Sequence, residues 1–275
     1  MPVKTLPLLH ADKLDTHEYP RFGSSLPPSD LREGKYIVRF ARSREELDEV
    51  LKLRFDIFNL ELGEGLESSF QTERDLDDYD LACHHLIVLE EATGKIVGTY
   101  RLQTGAMAAA AKGFYSATEF DLSRLPPEVL EDSVELSRAC IAKAYRNTQV
   151  LFLLWKGLAS YIAFNRKRFL YGCCSLTSQD ASEGKLIMEL LERDGHLHEE
   201  FYVPPKSGFE CYPSNFKVEA SREVKLPKLF RTYLRIGAKA CGPPAIDRAF
   251  KTIDFFVLFD LFEMDRQTQQ MFFGA

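Results

Sequence analysis

The sequence lacks the marks of export. The first twenty residues, MPVKTLPLLHADKLDTHEYP, contain no continuous apolar stretch, so no signal peptide is expected. Long apolar runs are missing too. The two longest, Val150–Phe164 and Ile253–Phe262, are broken by Lys156 and by Asp254 and Asp260, and both fall short of the ~20 residues of a membrane-spanning helix. The six cysteines form no CxxC pair, and Cys173 and Cys174 are adjacent. Free thiols in a reducing, cytoplasmic compartment are the expectation. The histidines show no ligand spacing, so no metal site is expected. Nucleic acid is not an expected partner: net charge is −6, and the basic residues interleave with a buried helix.

What is present is unevenly placed. Asp56–Asp80 holds nine carboxylates and Arg74 as its only cation; Leu136–Gln179 holds seven cations and no carboxylate. Such separation suits a cationic small substrate on one side and an acidic partner on the other.

The chain is organised around 133–164, SVELSRACIAKAYRNTQVLFLLWKGLASYIAF: a strand, a polar loop and a long apolar helix. Strict alternation puts Glu135 and Ser137 on one strand face and Arg138 on the other. A largely buried strand has little reason to carry Glu, Ser and Arg unless they are used. Helix 150–164 is apolar almost all round and should pack on a sheet. Its amino end follows Lys143-Ala-Tyr-Arg146-Asn147-Thr148, where Asn147 or Thr148 serves as N-cap. Helix-terminal N–H groups and two cations make an anion site there; a solvated loop is the bland alternative.

Composition divides the chain into an arm, 1–34, and a domain, 35–275. Strands are expected at 35–41, 83–90, 96–103, 168–176 and 252–259, besides the central one. Ser43-Arg-Glu-Glu46 is a capping box opening a helix whose apolar stripe includes Arg54, either snorkelling or an inward anchor. Residues 63–80 form a long acidic loop, 201–218 a hairpin-like segment, 227–240 a helix and 242–247 a rigid turn. Helix 227–240 offers a basic, apolar face for peripheral membrane contact, with an ordinary surface helix as the alternative. The fold expected is α/β, a sheet of about seven strands flanked by helices.

Arg54-Phe-x-x-Phe58, Asp77-x-x-Asp80, Gly98-x-x-Arg101 and Glu135-Leu-Ser137-Arg138, in that order, resemble the signature of GNAT-fold acyltransferases that use acyl carrier protein. The tail, Gly242-Pro-Pro-Ala-Ile-Asp247 then Asp254-Phe-Phe-Val-Leu, resembles the ornithine N-acyltransferase branch of ornithine-lipid synthesis. The resemblance spans roughly 35–262 and implies a mixed, mostly antiparallel twisted GNAT sheet. It also implies transfer of a long-chain, 3-hydroxy fatty acyl group from a carrier-protein thioester to the α-amine of ornithine. Another amino acid, a homoserine-lactone type product, or a non-enzymatic carrier-binding module are the alternatives. No resident cofactor is implied; phosphopantetheine enters as part of the substrate. The loop 143–148 lacks the glycines of coenzyme A-binding relatives, so wrapping a pyrophosphate is harder than holding one phosphate.

The implied roles follow. Glu135 is the expected base, with Arg138 and Arg101 orienting it, and N–H groups near Cys140–Ala142 line an oxyanion hole. Arg54, Asp77, Asp80, Ser137 and Asp247 are expected to bind the acceptor, with Asx-type loop structure as the alternative for Asp77 and Asp80 and ordering of the acidic loop as the alternative for Arg54, Arg101 and Arg138. Lys143, Arg146, Asn147 and Thr148 are expected to bind the acyl donor.

Overall fold

The computed structural model describes residues 19–218 and 223–273. Nine strands form one sheet: β1 Leu31–Glu33, β2 Tyr36–Phe40, β3 His84–Glu90, β4 Lys95–Thr104, β5 Ser133–Ile141, β6 Phe169–Leu176, β7 Lys239–Ala240, β8 Ala245–Asp247 and β9 Thr252–Asp260. Their order is β1-β2-β3-β4-β5-β6-β9-β7, with β8 also on β9. Every pairing is antiparallel except β5 with β6. The helices are α1 Arg44–Phe55, α2 Ser69–Thr72, α3 Gly105–Ala109, α4 Pro127–Glu131, α5 Thr148–Asn165, α6 Ala181–Arg193, α7 Lys228–Arg235 and α8 Arg266–Phe273. None of the described helices is long and apolar enough to cross a membrane.

The GNAT-type mixed, mostly antiparallel sheet is as expected, but with nine strands rather than about seven. The extra strands are two or three residues long, too short to leave a period in the sequence. β1 falls within the stretch that composition assigned to the arm; residues 1–18 lie outside those described. Segment 201–218 is not a hairpin: it meets the fold through single bridges, Phe120 to Pro205 and Glu210 to Ala245. Helix 227–240 ends at Arg235, and residues 245–247 of the rigid turn are a strand. The proposed membrane face of α7 is spent internally. Phe230 and Leu234 are buried, and Tyr233 stacks on Trp155 and shares a hydrogen bond with Tyr100.

The sheet has two unlike faces. One is covered by α5, whose Val150, Leu153, Leu154 and Tyr161 are fully buried against Val38, Leu86, Val97 and Leu102. Each such side chain contributes about 2 kcal/mol. The other face packs α1 and the acidic loop through Leu47, Val50, Ile87 and Cys140, and here the polar strand residues point. Ser43 caps α1 by accepting from the Glu46 N–H.

Candidate active site

β5 and β6 part company early. They pair only through Ser133–Glu135 with Phe169–Tyr171. At the next residue, a Cβ on Gly172 would sit 2.1 Å from the Leu136 carbonyl oxygen, so only glycine allows the two backbones to pass there. Beyond it, Leu136–Ile141 has strand β4 on one side and, among the described residues, no strand on the other. A sheet opened in this way exposes backbone donors and acceptors where they can meet an extended ligand.

The β4–β5 ladder is also irregular. Thr99 faces Cys140 while Arg101 faces Ser137, so β5 carries an extra residue. Arg138 lies at that bulge with φ of +51°. The bulge overturns the alternation expected from sequence: Arg138 turns to the same face as Glu135 and Ser137. Its guanidinium lies 4.2 Å from the Phe250 ring centroid and 4.7 Å from that of Tyr115.

On this face six charges form a ring, four buried and two, Asp77 and Arg138, half-buried. Arg54 donates to Asp75 (2.7 Å) and Asp80 (2.6 Å). Arg101 donates to Asp77 (2.6 Å), Asp80 (3.0 Å) and the Ser137 hydroxyl (2.9 Å). Arg138 reaches Asp77 at 3.1 Å and Asp75 at 3.3 Å. Three guanidinia face three carboxylates, and Arg54, Asp75 and Asp80 are fully enclosed. Arg54 is therefore the inward anchor. Burial pushes Asp77 upward, but Arg101, Arg138 and Arg54 pull it further down, well below the usual carboxylate range. Asp80 is likewise pushed up by burial and held low by Arg54 and Arg101. Asp77 and Asp80 thus have no uncompensated charge for an acceptor's ammonium, contrary to the expectation from sequence. Two ring donors, Arg101 Nη2 and Arg138 Nε, and the acceptor Asp75 Oδ1 are without a hydrogen-bond partner among the described residues; Arg138 Nε still lies 3.3 Å from Asp75 Oδ2, so Arg101 Nη2 is the spare donor toward an anion.

Glu135 has a different occupation from the one expected. It is 2 % exposed, and its two oxygens accept the backbone N–H groups of Tyr115 (2.8 Å) and Ser116 (2.7 Å). Burial raises its pKa against those N–H contacts. It holds the turn 115–118 in place and makes no ion pair with Arg101 or Arg138 among the described contacts, so the structure gives it a positioning role. The expected oxyanion donors also change, because the Ala142 N–H is taken by the Val97 carbonyl (2.8 Å).

The turn fixed by Glu135 leads to Glu119, which composition gave no reason to single out. Glu119, Asp247 and Asp254 bring carboxylate oxygens within 4.8 Å of one another, all buried. Asp247 accepts the N–H groups of Ala249 and Phe250, both at 2.8 Å, and Asp254 accepts the Thr252 hydroxyl at 2.9 Å. Among the described residues neither Glu119 oxygen nor Asp254 Oδ1 accepts from an N–H group or a basic side chain; Glu119 and Asp254 face each other as a carboxyl pair. Burial, then Asp254 and Asp247, push Glu119 up to about 10; burial also raises Asp254. Asp254 had a signal in the sequence, as the one charge inside an apolar strand. Nearby Glu64, raised by burial, accepts a hydrogen bond from Thr177 at the end of β6.

The donor loop is built mainly as read. Asn147 is the N-cap of α5, accepting from the Val150 N–H at 3.0 Å, and Thr148 is the first helical residue. Lys143 is exposed in a single turn of 3₁₀ helix. Arg146, however, is held by Glu61 through two contacts (2.5 and 2.8 Å) and by the Ile141 carbonyl.

Residues 53–156 match the profile of an acetyltransferase (GNAT) domain. A parted strand pair on a mixed sheet, with buried charge beside the opening, belongs to that class: the protein is a GNAT-fold acyltransferase that forms an amide. The structure of FeeM, an N-acyl amino acid synthase from uncultured soil microbes, superposes with a TM-score of 0.51 at 10 % identity, covering 84 % of this chain and 95 % of that one; the likeness is one of fold. An L-ornithine N(alpha)-acyltransferase of Rhizobium meliloti (strain 1021) is 30 % identical over 259 residues, covering 88 % of this chain and 86 % of the relative. That of Brucella abortus (strain 2308) is 32 % identical over 240 residues, covering 82 % and 85 %. The chain belongs to the L-ornithine N(alpha)-acyltransferase family.

Proposed function

We propose that the protein moves a long-chain, 3-hydroxy fatty acyl group from the phosphopantetheine thioester of acyl carrier protein to the α-amine of ornithine. The amine nitrogen attacks the thioester carbonyl, the C–N bond forms, the C–S bond breaks and the thiol leaves with a proton. A thioester is already activated, so placing the amine and supporting the oxyanion are the main tasks.

The observation that carries this reading is the opening between β5 and β6 at Gly172. An extended pantetheine arm fits beside the unpaired edge of β5, with its carbonyl among backbone N–H groups. The acceptor's carboxylate is served by the unpartnered Arg101 Nη2, beside Arg138. Glu135 would take the amine proton through a water on a lone pair left free by its two N–H contacts. Lys143 and the start of α5 would meet the phosphate; Arg146 joins them on exchanging Glu61 for it. The acid-free stretch Leu136–Gln179 suits a strongly acidic carrier protein. Such a donor places the reaction in the cytoplasm, with product delivered at the inner membrane face.

The test is direct. Purified protein is supplied with ornithine and either acyl carrier protein or coenzyme A carrying the same 3-hydroxyacyl chain, and products are read by mass spectrometry. N-acyl-ornithine from the carrier-protein thioester is expected. Equal or better use of the coenzyme A thioester would remove the carrier-protein reading, and acylation of other amino acids in preference to ornithine would remove the acceptor.

A further inference from the structure

The geometry points to Glu119, Asp247 and Asp254 as the subsite that takes the side-chain ammonium of the acceptor and so selects a diamino acid. This rests on ornithine being the acceptor proposed above.

Three observations converge. The first is acidity without a cation of its own. Glu119 is 1 % exposed and Asp254 4 % exposed, and apart from each other and neighbouring hydroxyls neither has a donor: no N–H group or basic side chain among the described residues reaches the Glu119 oxygens or Asp254 Oδ1. Burying carboxyl groups in that state is costly unless a donor arrives. The second is shape. A primary ammonium presents three tetrahedral N–H donors. Three acceptors at ordinary hydrogen-bond length from one such nitrogen stand about 4.6 Å apart. The carboxylate oxygens here lie within 4.8 Å of one another.

The third is place. Asp254 pairs across the sheet with Ser175, on the same strand face as Cys173, whose Sγ lies 3.6 Å from the Ser116 hydroxyl. Ser116 is one end of the turn that Glu135 grips. The trio therefore flanks the opening between β5 and β6 on the face that carries Arg138. An amino acid lying across this region would meet guanidinium at its carboxylate end and carboxylate at its side-chain end.

The groups facing Glu119 are Asp247 and Asp254 from the β8–β9 ladder, Arg138 from β5, Tyr115 from its own turn and Cys173 from β6. Only Arg138 among these is a cation, and it is already shared with Asp75 and Asp77. The trio is left with negative charge to satisfy.

The experiment compares ornithine with norvaline, its analogue without the terminal amine, by calorimetric titration of the full-length protein, so that no turnover is needed. The same titrations are run on Glu119→Gln and Asp254→Asn. Wild type is expected to prefer ornithine, and each variant to lose at least about tenfold in ornithine affinity while the preference over norvaline collapses toward one. Matched losses for both ligands would mean a structural role, and equal binding of both by wild type would remove the subsite. Magnesium or calcium displacing ornithine from wild type would assign the trio to a metal and overturn the proposal. Should the protein bind ornithine through the trio yet acylate something else, the subsite stands and the proposed reaction falls. Where one variant does not fold, the other gives the same reading.

Discussion

Two groups of buried charge sit on one face of one sheet, and they are opposites. The ring of Arg54, Arg101, Arg138, Asp75, Asp77 and Asp80 is neutral and closely paired. The trio of Glu119, Asp247 and Asp254 has no cation of its own among the described residues and is held by neutral donors only. A buried charge that is fully paired is fixed architecture, costly to disturb. One that is unpaired stores a penalty that a ligand can relieve. Mutations should therefore damage the ring by unfolding the protein and damage the trio by blinding it.

The largest effect belongs to the ring. Arg54→Met leaves Asp75 and Asp80 buried without their shared guanidinium and should cost about 3–5 kcal/mol in denaturant unfolding. A loss under about 1 kcal/mol would place the ring on the same footing as an exposed ion pair. Glu135→Gln comes next. An amide nitrogen would then face one of the Tyr115 and Ser116 N–H groups, costing about 1–3 kcal/mol. Because Glu135 acts through the turn that carries Glu119, ornithine KM should rise more than kcat falls. A collapse in kcat with KM unchanged would restore Glu135 as the base.

The trio should answer to pH in the direction opposite to the ring. Glu119, held near 10 against an ordinary 4.5, keeps a proton in the folded protein that the unfolded chain has lost. Stability therefore falls as pH rises between those values, by up to about 1.4 kcal/mol per unit. Glu119→Gln should flatten that decline between pH 6 and 9, measured by urea unfolding; an unchanged slope would mean that Glu119 is ionised. Asp77 and Asp80, pulled down by arginines, give stability that is present above their ordinary 3.8 and lost only as pH falls well below it. The smallest effect on stability is at the donor loop. Arg146→Glu with Lys143→Glu should change stability by less than about 1 kcal/mol, since the Arg146–Glu61 pair is largely exposed. Its reading is a higher KM for the acyl carrier protein thioester with ornithine KM unaltered.

The contrast also explains what could be read in the sequence. Central strand, long helix and Arg54 stripe were legible because periodicity survives in elements of several turns or pleats. Arg54 and Arg138 were visible as charges in apolar elements and Arg101, Asp77 and Asp80 through the family resemblance, while Asp75 did not stand out in its acidic loop. Their mutual neutralisation was not visible, because it depends on a bulge that rotates Arg138 onto the face of Ser137. Asp254 announced itself by interrupting an apolar strand, whereas Glu119 stood in a loop where a carboxylate is unremarkable. Pairing between segments more than a hundred residues apart, as for Glu119 with Asp254, is a property of the closed sheet.

The most direct measurement is the proton count on binding ornithine at pH 8, by titration calorimetry in two buffers of different ionisation enthalpy. If an ammonium enters the trio, it displaces the proton of Glu119: close to one proton should be released by wild type and none by Glu119→Gln. No release from wild type, or the same release from both, would show that ornithine leaves the Glu119, Asp247 and Asp254 trio untouched.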